Sequence, residues 1–319
     1  MLSPAACLTV LLPLLASQTE PQNPDSSRPV ASKSWRICIR PYNYDEAEPW
    51  EYTRRQGEPE PGMSAAGPTW NHSPILAAAG NAPAPPIGPA GTAPRIEVVG
   101  HSVRGGPIVM QIFGRSGDVT FVFGGIHGNE GNSSVVARRF AEHLEQHPEL
   151  TRDCRVAVIS AMNPDGLARE SRTNVHGVDL NRNLPAKNWQ PSKPGSTFGG
   201  DQPASEPETE ALIRAVDLLQ PAAIVSIHSI TRGRQCNNFD GPGEELARRM
   251  AEKNGYPVRK TIGYPTPGSF GSWAGIDRQI PTITLELPHD QDGNSAWSDN
   301  RESLLEALRV DDTITAVAK

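Results

Sequence analysis

The sequence predicts an α/β fold: a single-domain α/β/α sandwich around a mixed, mostly parallel sheet, preceded by a disordered N-terminal region. Three observations carry this expectation. Short β-type runs recur at 96–99, 108–113, 119–123, 155–160, 223–227 and 282–286, and amphipathic helical patterns separate several of them. These runs are alternating or mainly apolar, as buried strands are. Of the chain's 31 prolines, 16 fall in residues 1–94, so composition divides the 319 residues into a proline-rich arm and a regular domain over 95–319.

In chain order, residues 1–19 read as a signal peptide. An apolar run at 5–16 is followed by small and polar residues around Ala16, Ser17 and Gln18, which predicts export to a periplasmic or extracellular space. Without that cleavage signal the protein is cytoplasmic. Twelve apolar residues with a proline among them are too few to span a bilayer, so no stable membrane anchor is expected. Residues 20–94 read as a disordered, polyproline-type linker. One aromatic island within it, 34–44, has β character and suits either a docking strand or a small binding patch. Asn71 and Asn132 begin glycosylation sequons. Four scattered cysteines, Cys7, Cys38, Cys154 and Cys236, cannot form a disulfide framework, so the core carries the stability. A formal net charge of −6 argues against a nucleic-acid groove.

Within the domain, a helix is predicted over 132–147 from the spacing of Val135, Val136, Phe140 and Leu144. Ser205-Glu-Pro-Glu208 has the pattern of a capping box, opening a helix that stops before Pro221. Further helices fit 243–254 and 299–317. Sheets of this type bind ligands at strand C-terminal ends.

Candidate site residues gather at those ends. The strand 119–123 runs into Gly124-Gly-Ile-His127-Gly-Asn-Glu130, where a histidine and a carboxylate at i and i+3 offer ligands that zinc accepts. That spacing alone is no more than a solvated turn; it needs a third ligand and a base. His228 ends the strand 223–227 and supplies a third ligand, which leaves a tetrahedral zinc one open position. Glu286 lies inside the apolar strand 280–288, an expensive place for a carboxylate unless it serves as a general base. Asn181 and Arg182 suit capture of a substrate carboxylate. Asp179 is placed to orient a ligating histidine, and Arg172 to polarise a scissile carbonyl. His176-x-x-Asp179 and His289-x-x-Asp292 share the ligand spacing but follow no clean strand end.

Taken together, His127-x-x-Glu130, Arg172, Asp179-x-Asn181-Arg182, Ser226-Ile-His228-Ser and Leu285-Glu286 resemble the zinc carboxypeptidases, the M14 peptidase family. Tyr264, Trp273 and Glu286 fall at that family's spacing. The segment 264–273, with Asn163-Pro-Asp-Gly166 and 205–208, is similar more narrowly to its murein tripeptide amidases. The resemblance spans roughly residues 95–295. It implies a zinc carboxypeptidase-like fold and one zinc per chain held by His127, Glu130 and His228. It implies that Glu286 activates water, Arg172 stabilises the oxyanion, Asn181 and Arg182 clamp the leaving residue's carboxylate, and Tyr264 closes over it. The implied substrate is a peptide of the cell wall, cut at the γ-D-glutamyl–meso-diaminopimelate bond. Gly271 stands where the digestive enzymes set their side-chain pocket and leaves room for a long side chain. Gly128 and Asn129 are shared with aspartoacylase- and succinylglutamate-desuccinylase-like zinc deacylases, the alternative enzyme reading. An inactive wall-peptide-binding relative is the non-enzymatic one, disfavoured because every ligand and the base are present.

Overall fold

The structure is a computed structural model that describes residues 93–309. The segments 1–19 and 20–94, with the island at 34–44 and the sequon at Asn71, lie outside the described residues except for the last two positions. Eight strands form one sheet in the order β1-β2-β4-β3-β5-β8-β6-β7. They are β1 Arg95–His101, β2 Pro107–Phe113, β3 Val119–Phe123, β4 Arg155–Ile159, β5 Ala223–Ile230, β6 Cys236–Asp240, β7 Val258–Arg259 and β8 Thr282–Pro288. Four of the seven neighbouring pairs, β3·β4, β3·β5, β5·β8 and β6·β7, run parallel, and the other three antiparallel. The sheet is therefore mixed and mostly parallel, as expected.

The helices are α1 Gly131–Gln146, α2 Pro164–Ala168, α3 Pro207–Leu219, α4 Glu244–Asn254 and α5 Gly293–Glu306. On one face, α1, α4 and α5 pack Val136, Phe140, Leu246, Met250 and Leu304 onto Val122, Val225, Ile227, Ile283, Leu285 and Leu287. On the other, α3 packs Leu212 and Val216 with Leu180, Leu184, Phe270 and Trp273 onto Phe121, Phe123 and Ile224. Period-two alternation then decides where the polar residues go. Because Val225 and Ile227 of β5 face the three-helix layer, Ser226 and His228 face the opposite side. Because Ile283, Leu285 and Leu287 of β8 face the helices, Thr282, Thr284 and Glu286 also face away from them. The apolar packing thus aims a histidine and a glutamate into the same space.

Two expectations need correction, the last helix and the capping box, and two further features were not expected. β6 and β7 did not announce themselves: β6 reads Cys-Asn-Asn-Phe-Asp, and only Phe239 packs into the helix-side core. The helix sought at 299–317 begins earlier, at Gly293, because the Asp292 carboxylate accepts the Asn294 and Ser295 backbone N–H groups at 3.0 Å each. The capping box at 205–208 is not made. Glu206 is the N-cap of α3 without a side-chain cap; Ser205 Oγ bonds Glu206 Oε1 at 2.7 Å, and Glu208 accepts from Val103 N–H at 3.0 Å. The sequon asparagine Asn132 spends its amide N–H groups on the Pro288 and Gln291 carbonyls, tying α1 to the end of β8.

Candidate active site

His127 and Glu130 lie in the turn that carries β3 into α1. The turn is tight: a Cβ on Gly128 would stand 1.9 Å from the Gly166 carbonyl carbon, so only glycine admits α2 this close. Asn163 locks the contact from the other side. Its Oδ1 accepts Gly166 N–H at 2.9 Å and its Nδ2 donates to the Ile126 carbonyl at 3.3 Å. The Asn163-Pro-Asp-Gly166 motif thus braces the histidine loop.

The three expected ligands converge. His127, Glu130 and His228 are all buried, and their ligand atoms lie within 4.8 Å of one another. His127 Nδ1 is 2.8 Å from Glu130 Oε1, and His228 Nδ1 is 3.1 Å from Glu130 Oε2. Asp179, fully buried, takes His127 Nε2 at 3.0 Å on Oδ1 and Arg172 Nη2 at 2.8 Å on Oδ2. With Nε2 held by Asp179, the His127 lone pair falls on Nδ1, the nitrogen that faces the cluster. Ligands ~2.1 Å from a tetrahedral ion stand ~3.4 Å from each other, so the spacing of these donors fits zinc.

The electrostatics point the same way. Burial opposes charge on His127, but the Glu130 and Asp179 carboxylates outweigh it and push its pKa up to about 9. Burial also opposes charge on Glu130 and Asp179, and their histidine partners hold both well below the usual carboxylate range. His228 is held below its ordinary value, chiefly by burial. Two buried carboxylates flanking an imidazole form a cluster that demands positive charge. The Arg172 guanidinium supplies part of it, with Nη1 3.4 Å from Glu130 Oε1 and 3.3 Å from His127 Nδ1. A divalent cation would supply the rest.

Glu286 stands beside His228 because β5 and β8 are parallel and register those two residues as partners. It is 6% exposed, and burial first, then repulsion from Glu130, pushes its pKa up to about 8. Asn181 accepts Phe270 N–H on Oδ1 at 2.8 Å, while its Nδ2 lies 3.5 Å from His228 Nε2. Arg182 is buried, with Nη1 donating to the Asn181 carbonyl at 2.6 Å. Tyr264 is 47% exposed on the loop beyond β7.

Of the nine residues singled out from the sequence, all but Asp179 line one cavity of about 280 Å³; Asp179 lies behind His127. The two rival motifs are accounted for otherwise. His176 pairs with Glu206 at 2.7 Å, His289 lies 3.0 Å from Ser229 Oγ, and Asp292 caps α5. Sequence reasoning missed Ser229, whose backbone N–H donates to Glu130 Oε2 at 3.0 Å, and the cavity residues Asn188, Asn238, Asp240, Lys260 and Ser272. For Asn238 and Asp240 the sequence offered no signal, because β6 reads Cys-Asn-Asn-Phe-Asp without alternation. Backbone donors such as Ser229 N–H leave none either.

The chain is similar to known proteins in sequence and in fold. Residues 92–234 match the family model described as zinc carboxypeptidase, Peptidase M14. The chain is 35% identical over 216 residues to murein peptide amidase A of Escherichia coli (strain K12), covering 61% of this chain and 82% of that protein. It is 28% identical over 129 residues to gamma-D-glutamyl-L-diamino acid endopeptidase 1 of Lysinibacillus sphaericus, covering 36% of this chain and 31% of that one. Among solved structures it is similar to the crystal structure of murein-tripeptide amidase from Escherichia coli O157. There the TM-score is 0.56 at 32% identity, over 68% of this chain and 92% of that chain.

Proposed function

We propose that this chain, which belongs to the zinc carboxypeptidase family (peptidase family M14), cuts cell-wall peptides at the γ-D-glutamyl–meso-diaminopimelate bond. That it is a zinc peptidase follows from the family; the wall peptide and the residue roles are the proposal. The observation that carries it is the convergence of His127, Glu130, His228 and Glu286 on one buried cavity, lined also by Arg172, Asn181 and Arg182. The names of two relatives, a murein peptide amidase and a γ-D-glutamyl–diamino acid endopeptidase, support the choice of bond.

His127 Nδ1, His228 Nδ1 and Glu130 would hold the metal. When bound, zinc supplies a Lewis acid for the scissile carbonyl and makes a water acidic near neutral pH. Asp179 keeps His127 in the tautomer that presents Nδ1. Glu286 takes a proton from the attacking water and returns it to the leaving nitrogen, so the water oxygen bonds to carbon as the carbon–nitrogen bond breaks. Arg172 donates to the carbonyl oxygen as charge builds there. Asn181 and Arg182 hold the carboxylate of the leaving residue, and Tyr264 closes the mouth of the cavity over it.

Among the described residues, no helix is long and apolar enough to cross a membrane. Export through the run at 5–16 belongs to the same proposal; fractionation that finds the chain only in the cytosol with residues 1–19 intact would remove it. The activity is tested with L-Ala-γ-D-Glu-meso-diaminopimelate and N-acyl amino acids, with zinc and then with chelator. Zinc-dependent release of diaminopimelate is expected. Turnover of acyl amino acids alone would assign the site to the deacylases instead.

A further inference from the structure

The loop between β5 and β6, residues 231–235, carries two arginines in different states. Arg232 is neutralised: its Nε lies 2.9 Å from each oxygen of the Asp290 carboxylate. Arg234 has no carboxylate partner among the described residues; its Nη2 donates to the Ile262 carbonyl at 2.7 Å. That bond spends one N–H and leaves the rest of the guanidinium fork free. Ile262 lines the cavity, and a Cβ on Gly263 would stand 3.5 Å from Arg234 Nη2. The charged head is thus held against the backbone of the loop that carries Tyr264. Strand pairing locates it relative to the chemistry. Cys236 pairs with Glu286, and from there β6 descends through Asn238 to Asp240, away from the strand ends where the ligands sit. Arg234 lies two residues the other way, ~7 Å toward the mouth. Its charge reaches the base: burial, then Glu130, raises the Glu286 pKa, and Arg234 opposes that rise.

With the leaving residue's carboxylate on Asn181 and Arg182, the acyl portion of a bound peptide passes Glu286 toward the mouth, beside Arg234. A γ-linked glutamyl residue differs there from an α-linked one. Its free α-carboxylate follows the scissile carbonyl carbon by about four carbon–carbon bonds, a reach of ~5 Å. An α-linked residue presents a neutral backbone amide instead. We propose that Arg234 is a specificity residue for the acyl side, pairing its free N–H groups with the α-carboxylate of a γ-linked glutamyl residue. A guanidinium already fixed on Ile262 loses little freedom on pairing, and the contact is charge-assisted and bidentate. Peptides whose α-carboxylate is amidated, or that are linked through it, leave Arg234 without its anion, which selects against them. This inference rests on the wall-peptide reading of the cleft, but it concerns the group beside the cut bond and not the residue released.

Two peptides that share the scissile bond test it on the full-length, zinc-loaded protein. One is L-Ala-γ-D-Glu-meso-diaminopimelate; the other is its isoglutaminyl form, in which a carboxamide replaces the α-carboxylate. Wild type should cleave the acid with kcat/KM at least ~10-fold above the amide. Arg234→Gln should bring the two within ~3-fold by slowing the acid alone, and Arg234→Lys, which keeps the charge, should restore part of the preference. Arg234 is exposed on its loop, and the wild-type ratio decides without any variant. Equal rates on the two peptides in wild type overturn the proposal. So does an equal loss on both in Arg234→Gln, which would make Arg234 only a prop for the Tyr264 loop. If neither peptide is cleaved, the wall-peptide reading fails and takes this inference with it; equal cleavage of both leaves that reading standing and removes Arg234 alone.

Discussion

At the scale of single residues, charge is placed where the surrounding protein makes it expensive, and the placement dictates behaviour. Glu286 shares the buried site with Glu130, so its neutral form is favoured until positive charge arrives nearby. Glu286→Gln keeps the size and removes the base. We expect turnover to fall at least ~100-fold with zinc content unchanged, measured by metal analysis and diaminopimelate release on the same sample; retained turnover removes Glu286 from the base role. Asp240 makes the second prediction. Burial raises its pKa from the ordinary 3.8 to about 6 in the folded chain. Its neutral form is favoured by folding, so its contribution to stability is present below 3.8 and lost as pH rises through about 6. Asp240→Asn should therefore be more stable than wild type at pH 8, by ~1 kcal/mol after allowing for solvent at this partly exposed group, and no more stable near pH 4. Denaturant melts at both values check the sign, and a variant less stable at pH 8 contradicts it. The ligands, the base and the carboxylate-binding pair were legible in the sequence because each has a short motif at a strand end or loop. Asp240 was not, since it meets the site through strand pairing across 46 positions of sequence from Glu286.

Elements place these residues, and their boundaries follow local chemistry that the sequence shows unevenly. The strands bearing His228 and Glu286 were readable because their apolar faces, Val225 and Ile227 in β5 and Ile283, Leu285 and Leu287 in β8, are buried in the helix-side core. β6 was unreadable for the converse reason: of its five residues, Asn238 and Asp240 line the cavity and Asn237 turns its amide to Asn254 at 3.0 Å. An element that lines a site is patterned for the site as much as for the core. α5 was displaced in the prediction because its start is set by one side chain. Asp292 accepts two orphan N–H groups there, so Asp292→Ala should cost about 1 kcal/mol of stability while leaving turnover at 25 °C within twofold. Chemical denaturation measures the first. A loss under 0.3 kcal/mol, less than a cap is worth, would mean that packing of Ala296 and Leu304 alone fixes this helix.

Over the whole molecule, the two faces of the sheet do different work. The face under α1, α4 and α5 is continuous apolar core, whereas the opposite face gives part of its area to the cavity and its charged cluster. Removing the metal leaves Glu130, Asp179 and Glu286 buried with His127 and Arg172 as their counter-charges. Zinc at ~1,000 times its dissociation constant should raise the unfolding free energy by ~4 kcal/mol, read as a higher melting temperature that chelator reverses. An unchanged melting temperature contradicts a native zinc site. The most direct test of the account joins metal to chemistry. Metal-free protein is titrated with zinc while bound metal and release of diaminopimelate from L-Ala-γ-D-Glu-meso-diaminopimelate are followed together, alongside His228→Ala. Activity should rise in proportion to zinc, reach its plateau at one ion per chain, and be absent from the variant at the same zinc concentration. Full activity in the metal-free protein, or in His228→Ala, would contradict it.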